Sequence, residues 1–172
     1  MSQEFSPTAA ASMLRASAAA IAATARTLPE DVLRFRPAPD EWCVKDVVGH
    51  LIEAERRGFA GRVSVILESD APALQGWEPA DVARARNDVA KDVEALLGEF
   101  LALREAGAAL VAGLTRDAFR RIGRHPKVGE LSVRDVVQEW VYHDANHLKQ
   151  ILSNVQAYAW PHMGNAQKFS LP

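Results

Sequence analysis

Two histidines, His143 and His147, stand four residues apart in the segment Tyr142-His143-Asp144-Ala145-Asn146-His147-Leu148. On a helix this spacing puts both Cβ atoms on one face, roughly 6 Å apart, so two ring nitrogens can reach one divalent ion without distorting the backbone. A third ligand has to come from another element. His50, in Val48-Gly49-His50-Leu51, is the candidate, because it lies on an amphipathic helical stretch and faces the same kind of apolar arc. Alone it would read as a packed core histidine; beside the 143/147 pair it reads as a ligand. His125 precedes a proline in a loop and His162 sits in a glycine-containing tail, so both are weaker choices. Three protein ligands, with the remaining positions left to water or substrate, describe a catalytic rather than a structural ion. An all-imidazole shell suits zinc, nickel, iron or copper.

Acidic residues flank the pair. Glu139, one turn before His143, continues the same line and could be a fourth ligand, a base or a hydrogen-bond acceptor for a ligand. Asp144 makes His143-Asp144-Ala145-Asn146-His147 resemble the zincin pattern with aspartate in place of glutamate, which would make it a general base. The shorter acid reaches less far and no third-ligand signature follows downstream, so a solvated helix residue or a partner of a ligand ring is the competing reading. Asp46, one turn before His50, could orient that ring through its free nitrogen. Cys43 is a further candidate, as a nucleophile activated at a helix N-terminus. Trp140 is a candidate for the pocket lining.

These groups need helices to hold them. Four long helical patterns with three punctuated connections account for nearly all of the 172 residues, without a convincing alternating strand. The fold class is therefore all-α, a four-helix bundle with long crossover connections, in one domain spanning residues 1–172. The first helix starts at Ser6-Pro7 and ends near Leu28-Pro29, carried by Leu14, Ala18, Ile21, Ala22 and Ala25. The second runs from about Val44 to Glu68, the third from about Ala80 to Leu114 with a kink expected near Gly107 or Gly113, and the fourth from Ser132 to about Tyr158. Connections of ten or more residues permit a topology other than simple up-down-up-down.

Helices two and four begin alike, Cys43-Val44-Lys45-Asp46-Val47-Val48 and Ser132-Val133-Arg134-Asp135-Val136-Val137, each with an acid three residues after the cap as in a capping box. His50 follows its cap by seven residues, and His143 and His147 follow theirs by eleven and fifteen. At about 100° per residue these are two, three and four turns. All three imidazoles thus fall near one edge of the arcs Val44, Val47, Leu51, Ile66 and Val133, Val136, Trp140, Ile151.

Composition narrows the function. The chain is 48 % apolar and 24 % charged, with 20 basic against 22 acidic residues dispersed along its length, so a nucleic-acid surface is not expected. No apolar run has membrane-spanning length and no leader is recognised, so a cytoplasmic protein without a membrane partner is expected. Cys43 is the single cysteine, in keeping with a reducing compartment.

The stretch from Trp42 to Leu51 and the late segment from His143 to His147, with the order of helices between them, resemble the DinB-like family of bacterial helical-bundle metalloproteins. The resemblance spans about residues 10–168, and the histidine spacing is its specific part. It implies a bundle of non-sequential topology, commonly a homodimer, with a divalent metal held by His50, His143 and His147. Cys43 departs from the serine or threonine usual at that cap. Kinship with bacillithiol transferase and mycothiol-dependent maleylpyruvate isomerase implies a transferase using a low-molecular-weight thiol as cosubstrate toward a small-molecule substrate. The alternatives are a metal-dependent hydrolase, with Glu139 or Asp144 as base, and a non-enzymatic metal-binding or stress-response module.

Overall fold

Ser6 caps the first helix as its sequence suggests: the hydroxyl accepts the Ala9 N–H at 3.2 Å and Pro7 occupies the first turn of α1 (Pro7–Thr27). The structure, a computed structural model, describes residues 5–170, so both ends of the 1–172 domain span lie outside them. A short helix, α2 (Glu30–Arg34), interrupts the first connection, and α3 (Val44–Glu53) follows. A π-helical turn (Ala54–Gly58) joins α3 to α4 (Ala60–Glu68). Then come α5 (Pro79–Arg86), α6 (Val93–Ala112), α7 (Arg116–Arg120), the strands β1 (Ile122–His125) and β2 (Gly129–Ser132), and α8 (Val133–Ala159), before two short 3₁₀ turns.

The bundle is built from α1, α3 with its continuation, α6 and α8. α1 packs on α6 and α8, and α3 packs on the same two, so α1 and α3 face each other across the diagonal. The first connection therefore crosses the bundle end, and the all-α, non-sequential expectation holds. The alanines of α1, including Ala10, Ala11, Ala18, Ala22 and Ala25, are buried within the chain. Small side chains let α1 approach both neighbours closely.

Three expectations are corrected. Helix two is not continuous: the Phe59 N–H reaches back to the Ala54 carbonyl at 2.8 Å, an i to i+5 bond that inserts a residue into the helix. A Cβ at Gly61 would stand 1.9 Å from the Arg56 carbonyl oxygen, so glycine is what lets the chain resume α4 there. Helix three breaks at Asn87, which adopts a left-handed conformation (φ 48°) that asparagine tolerates, and restarts where the Asp92 carboxylate accepts the Ala95 N–H. The break is not at Gly107, which lies inside α6. Finally, strands exist. β1 and β2 form an antiparallel hairpin pairing Ile122 with Ser132 and His125 with Gly129, and Leu74 donates to the Arg124 carbonyl from the preceding loop. Gly129 turns the hairpin at φ 79°.

Apolar side chains form two clusters along the bundle, one around Phe59, Val111, Val133 and Trp140, the other around Ile21, Val47, Leu97, Phe100 and Ile151. Trp140 stacks on Phe59 with ring centroids 5.3 Å apart and is fully buried. Among the described residues no helix is long and apolar enough to cross a membrane.

Candidate metal centre

α3 begins with the reciprocal cap read from sequence, in which the Asp46 carboxylate accepts the Cys43 N–H at 3.1 Å. Two turns later His50 reaches the inner surface of the bundle, 6 % exposed. α8 begins with the matching cap, Ser132 and Asp135 exchanging bonds of 2.9 and 3.1 Å, and delivers His143 and His147 to the same point. His50 Nε2 lies 3.0 Å from His143 Nε2, which lies 3.1 Å from His147 Nε2. Three nitrogens from two helices thus form a group that could hold a metal ion.

The protonation states suit an ion. Burial, reinforced by His147, pushes His50 down to about 3, and burial, reinforced by His147, His50 and Arg104, pushes His143 down to about 2. Burial lowers His147 as well, against the opposing pull of Gln150 and Asp144. All three rings are therefore neutral at pH 7, with one N–H each. The Gln150 Oε1 accepts from His147 Nδ1 at 2.9 Å, which leaves the His147 Nε2 lone pair aimed into the cluster. Cis ligands at about 2.0–2.1 Å from an ion stand about 2.8–3.4 Å apart. The observed separations fall in that interval. His50 Nδ1 and His143 Nδ1 are buried without a partner, so only His147 has the usual outer acceptor.

Aromatic rings enclose the cluster. Trp42 lies against His50 (4.8 Å) and stacks on His147 (6.4 Å), Trp77 stacks on His50 (5.6 Å), and Phe59 meets His143 edge-on (4.9 Å). His50 and His143 then open into a cavity of about 560 Å³ whose walls include Phe59, Arg62, Trp77, His125, Lys127 and Glu139. Sequence reading missed Arg62 and Gln150. The Gln150 partnership alone carried a signal, one turn after His147 on the same face.

The other candidates separate. Glu139 faces the cavity from an exposed position. Asp144 is 1 % exposed and is no cavity residue: Oδ2 and Oδ1 accept from Arg104 Nη1 and Nη2 at 2.5 and 2.9 Å, and the Ser17 hydroxyl donates to it as well. It is a core ion-pair partner rather than a solvated residue, and its oxygens are taken. Arg104 also donates twice to Glu55 Oε1, at 2.9 and 2.6 Å, and Trp140 Nε1 adds a third bond at 3.0 Å. Trp140 is thus a core residue beside this network, not pocket lining. Asp46 does not orient His50, since its carboxylate serves the cap and pairs with Arg36 at 2.7 Å. Cys43 is fully buried and its thiol is pushed up to about 11 by burial, then by Asp46, which is the opposite of an activated nucleophile. His162 lies against the Tyr158 ring (5.9 Å), away from the cluster.

Comparison with known proteins agrees with this architecture. A family model of the DinB superfamily matches residues 13–151. The uncharacterised protein YuaE of Bacillus subtilis is 28 % identical over 137 residues, covering 72 % of this chain and 83 % of YuaE. The solved structure of YfiT from Bacillus subtilis, described as a probable metal-dependent hydrolase with an unusual four-helix bundle topology, superposes with a TM-score of 0.83 over 93 % of both chains at 18 % identity.

Proposed function

The chain belongs to the DinB superfamily, and from that premise we propose that it is a metal-dependent enzyme of small-molecule chemistry, a transferase that takes its nucleophile from a low-molecular-weight thiol. The observation that carries this reading is the convergence of three neutral imidazoles, two of which, His50 and His143, open onto a 560 Å³ cavity, in a chain whose own thiol is buried elsewhere. A divalent zinc, nickel or iron ion held by His50, His143 and His147 would supply the Lewis acidity that keeps a thiol ionised at neutral pH. Trp77 and Phe59 screen the cluster from water, which strengthens every charge interaction inside. Glu139 faces the same space and would take the thiol proton as the thiol binds; the resulting thiolate sulfur then displaces a leaving group, such as the bromide of monobromobimane, from an electrophilic carbon.

The test is metal-dependent conjugation of monobromobimane with bacillithiol, mycothiol and glutathione. If the metal-loaded protein accelerates none of them, the transferase reading fails. A hydrolase reading is favoured by one observation, that Glu139 could equally serve as base toward a water molecule, and by the description of YfiT. It requires ester turnover without any thiol, lost in Glu139→Gln. In the leading reading the protein works in the cytoplasm, and it is a homodimer, as the family resemblance implies for the dimer alone; a monomeric mass by light scattering at micromolar concentration rejects the dimer.

A further inference from the structure

The cavity wall opposite in origin to the histidine helices, formed by α4 and the hairpin, carries an unresolved hydrogen-bonding conflict. The Lys127 backbone N–H donates to His125 Nδ1 at 3.2 Å. A neutral imidazole has one N–H, so an accepting Nδ1 leaves the proton on Nε2. Burial, with the charges of Arg62 and Lys127 and against Glu139, lowers His125 from its ordinary value, which keeps the ring neutral at pH 7. His125 Nε2 stands 3.1 Å from Arg62 Nη2, and a guanidinium can only donate. Two N–H donors therefore converge with no acceptor between them. Arg62 Nε is a third donor without a partner, although it is buried.

Converging donors of this kind satisfy one another only through an acceptor that enters from the cavity. We propose that Arg62 and His125 form a carboxylate-recognition subsite within the cavity onto which His50 and His143 open, so that the substrate carries a carboxylate group. A planar two-oxygen acceptor matches the forked guanidinium donors better than a point charge would. Lys127 adds a cation at the same wall, while Glu78 and Glu139 line the cavity too and Glu139 acts on both Arg62 and His125, so the attraction for a carboxylate comes from the unpaired N–H donors rather than from net charge. Trp77, Val128 and Leu131 supply apolar surface for the body of such a substrate. Only the placement of the reacting carbon near the ion rests on the proposed function; the anion subsite stands without it.

Metal-free protein, prepared with a chelator, is the sample for the test. Nitrogen-15 spectra of the histidine rings should show His125 as the Nε2–H tautomer. Titration with benzoate should shift the His125 ring and Arg62 Nε signals, whereas benzamide, the uncharged analogue, should leave both in place. Arg62→Gln should weaken benzoate binding at least tenfold, and Lys149→Gln, on an exposed part of α8 outside the cavity, should leave it unchanged. An Nδ1–H tautomer, equal responses to benzoate and benzamide, or undiminished binding in Arg62→Gln overturns the proposal, and inorganic phosphate binding more tightly than benzoate overturns the assignment to carboxylate. The tautomer is read on the unsubstituted protein, so a variant that fails to fold still leaves a decisive measurement. Carboxylate binding by a protein with no metal affinity would uphold this subsite while the proposed function failed; the reverse pattern would sink the subsite alone.

Discussion

Arg104→Met should destabilise the protein by about 3–5 kcal/mol, the range for removing one partner from a buried ion pair. Arg104, Glu55 and Asp144 are each 1 % exposed, and the guanidinium makes four hydrogen bonds of 2.5 to 2.9 Å to the two carboxylates and one of 2.8 Å to the Leu14 carbonyl. Methionine fills a similar volume, so the cavity contribution is small and the cost comes from stranding two acids in the core. Burial already lifts Glu55 above the ordinary carboxyl range even with Arg104 beside it. Against a total stability of about 5–15 kcal/mol, this is about a fifth of the fold or more. Urea unfolding measures it, with the midpoint falling at constant slope. Two companions sharpen the result. Arg15 pairs with Glu105 at comparable distances of 2.9 and 2.7 Å, yet both are exposed, so Arg15→Met should scarcely move the midpoint. The triple variant Glu55→Leu, Arg104→Met, Asp144→Leu should recover most of the loss, because it strands no charge. A loss under about 1 kcal/mol for Arg104→Met, or equal losses for Arg15→Met, would refute the reasoning that burial rather than contact distance sets the cost.

Removing any ring of the cluster, as in His147→Ala, should lower zinc affinity by more than about 100-fold, and Gln150→Ala should lower it by about 10–100-fold, since it fixes the His147 tautomer; chelator competition reads both, and an unchanged Gln150→Ala speaks against the tautomer argument. Because burial depresses the folded-state values of His50 and His143 to about 3 and 2, the unfolded chain binds more protons in acid. The stability of the metal-free protein should therefore be level above about pH 6.5 and fall as pH drops below it, and a urea midpoint that rises on acidification would reverse the sign. Cys43, its thiol held up at about 11 by burial, should resist a disulfide reagent at pH 8 in the native state and react fully in denaturant. Rapid native labelling would show that the N-terminus of α3 opens.

How far the site was legible depends on which physical signal each residue leaves in the chain. His50, His143 and His147 could be placed because both helices start with caps that fix their phase, and whole turns then carry the rings to one level. Gln150 shares that phase. Arg62 and Phe59 could not be placed, because they follow the π turn at Ala54–Gly58, where the inserted residue resets the phase without any helix-breaking composition to announce it. The hairpin was invisible for a different reason. Its strands are four residues each, too short for alternation to register, and they are held partly by the loop at Leu74 and by Gly123, whose missing Cβ leaves room for Ile66 and Leu74.

Asp144 shows how a residue adjacent to a candidate ligand can belong to different chemistry. At about 100° per residue, with Trp140 at the centre of the buried arc of α8, His143 lies about 60° to one side and Asp144 about 40° to the other. The first faces the cavity and the second faces α6. There, Arg104 occupies the middle of the stripe formed by Leu97, Phe100, Ala108 and Val111, and Glu55 occupies a place one turn beyond Leu51. Ions of opposite sign are too costly to bury unpaired, and the three side chains meet where their elements pack together. The zincin-like pattern around Asp144 invites a catalytic reading because it considers spacing along one helix. Phase relative to the buried arc decides otherwise: the same one-residue step that separates a ligand from a base in a metalloprotease here separates the histidine cluster from the ion pair that ties α6 and the π turn to α8.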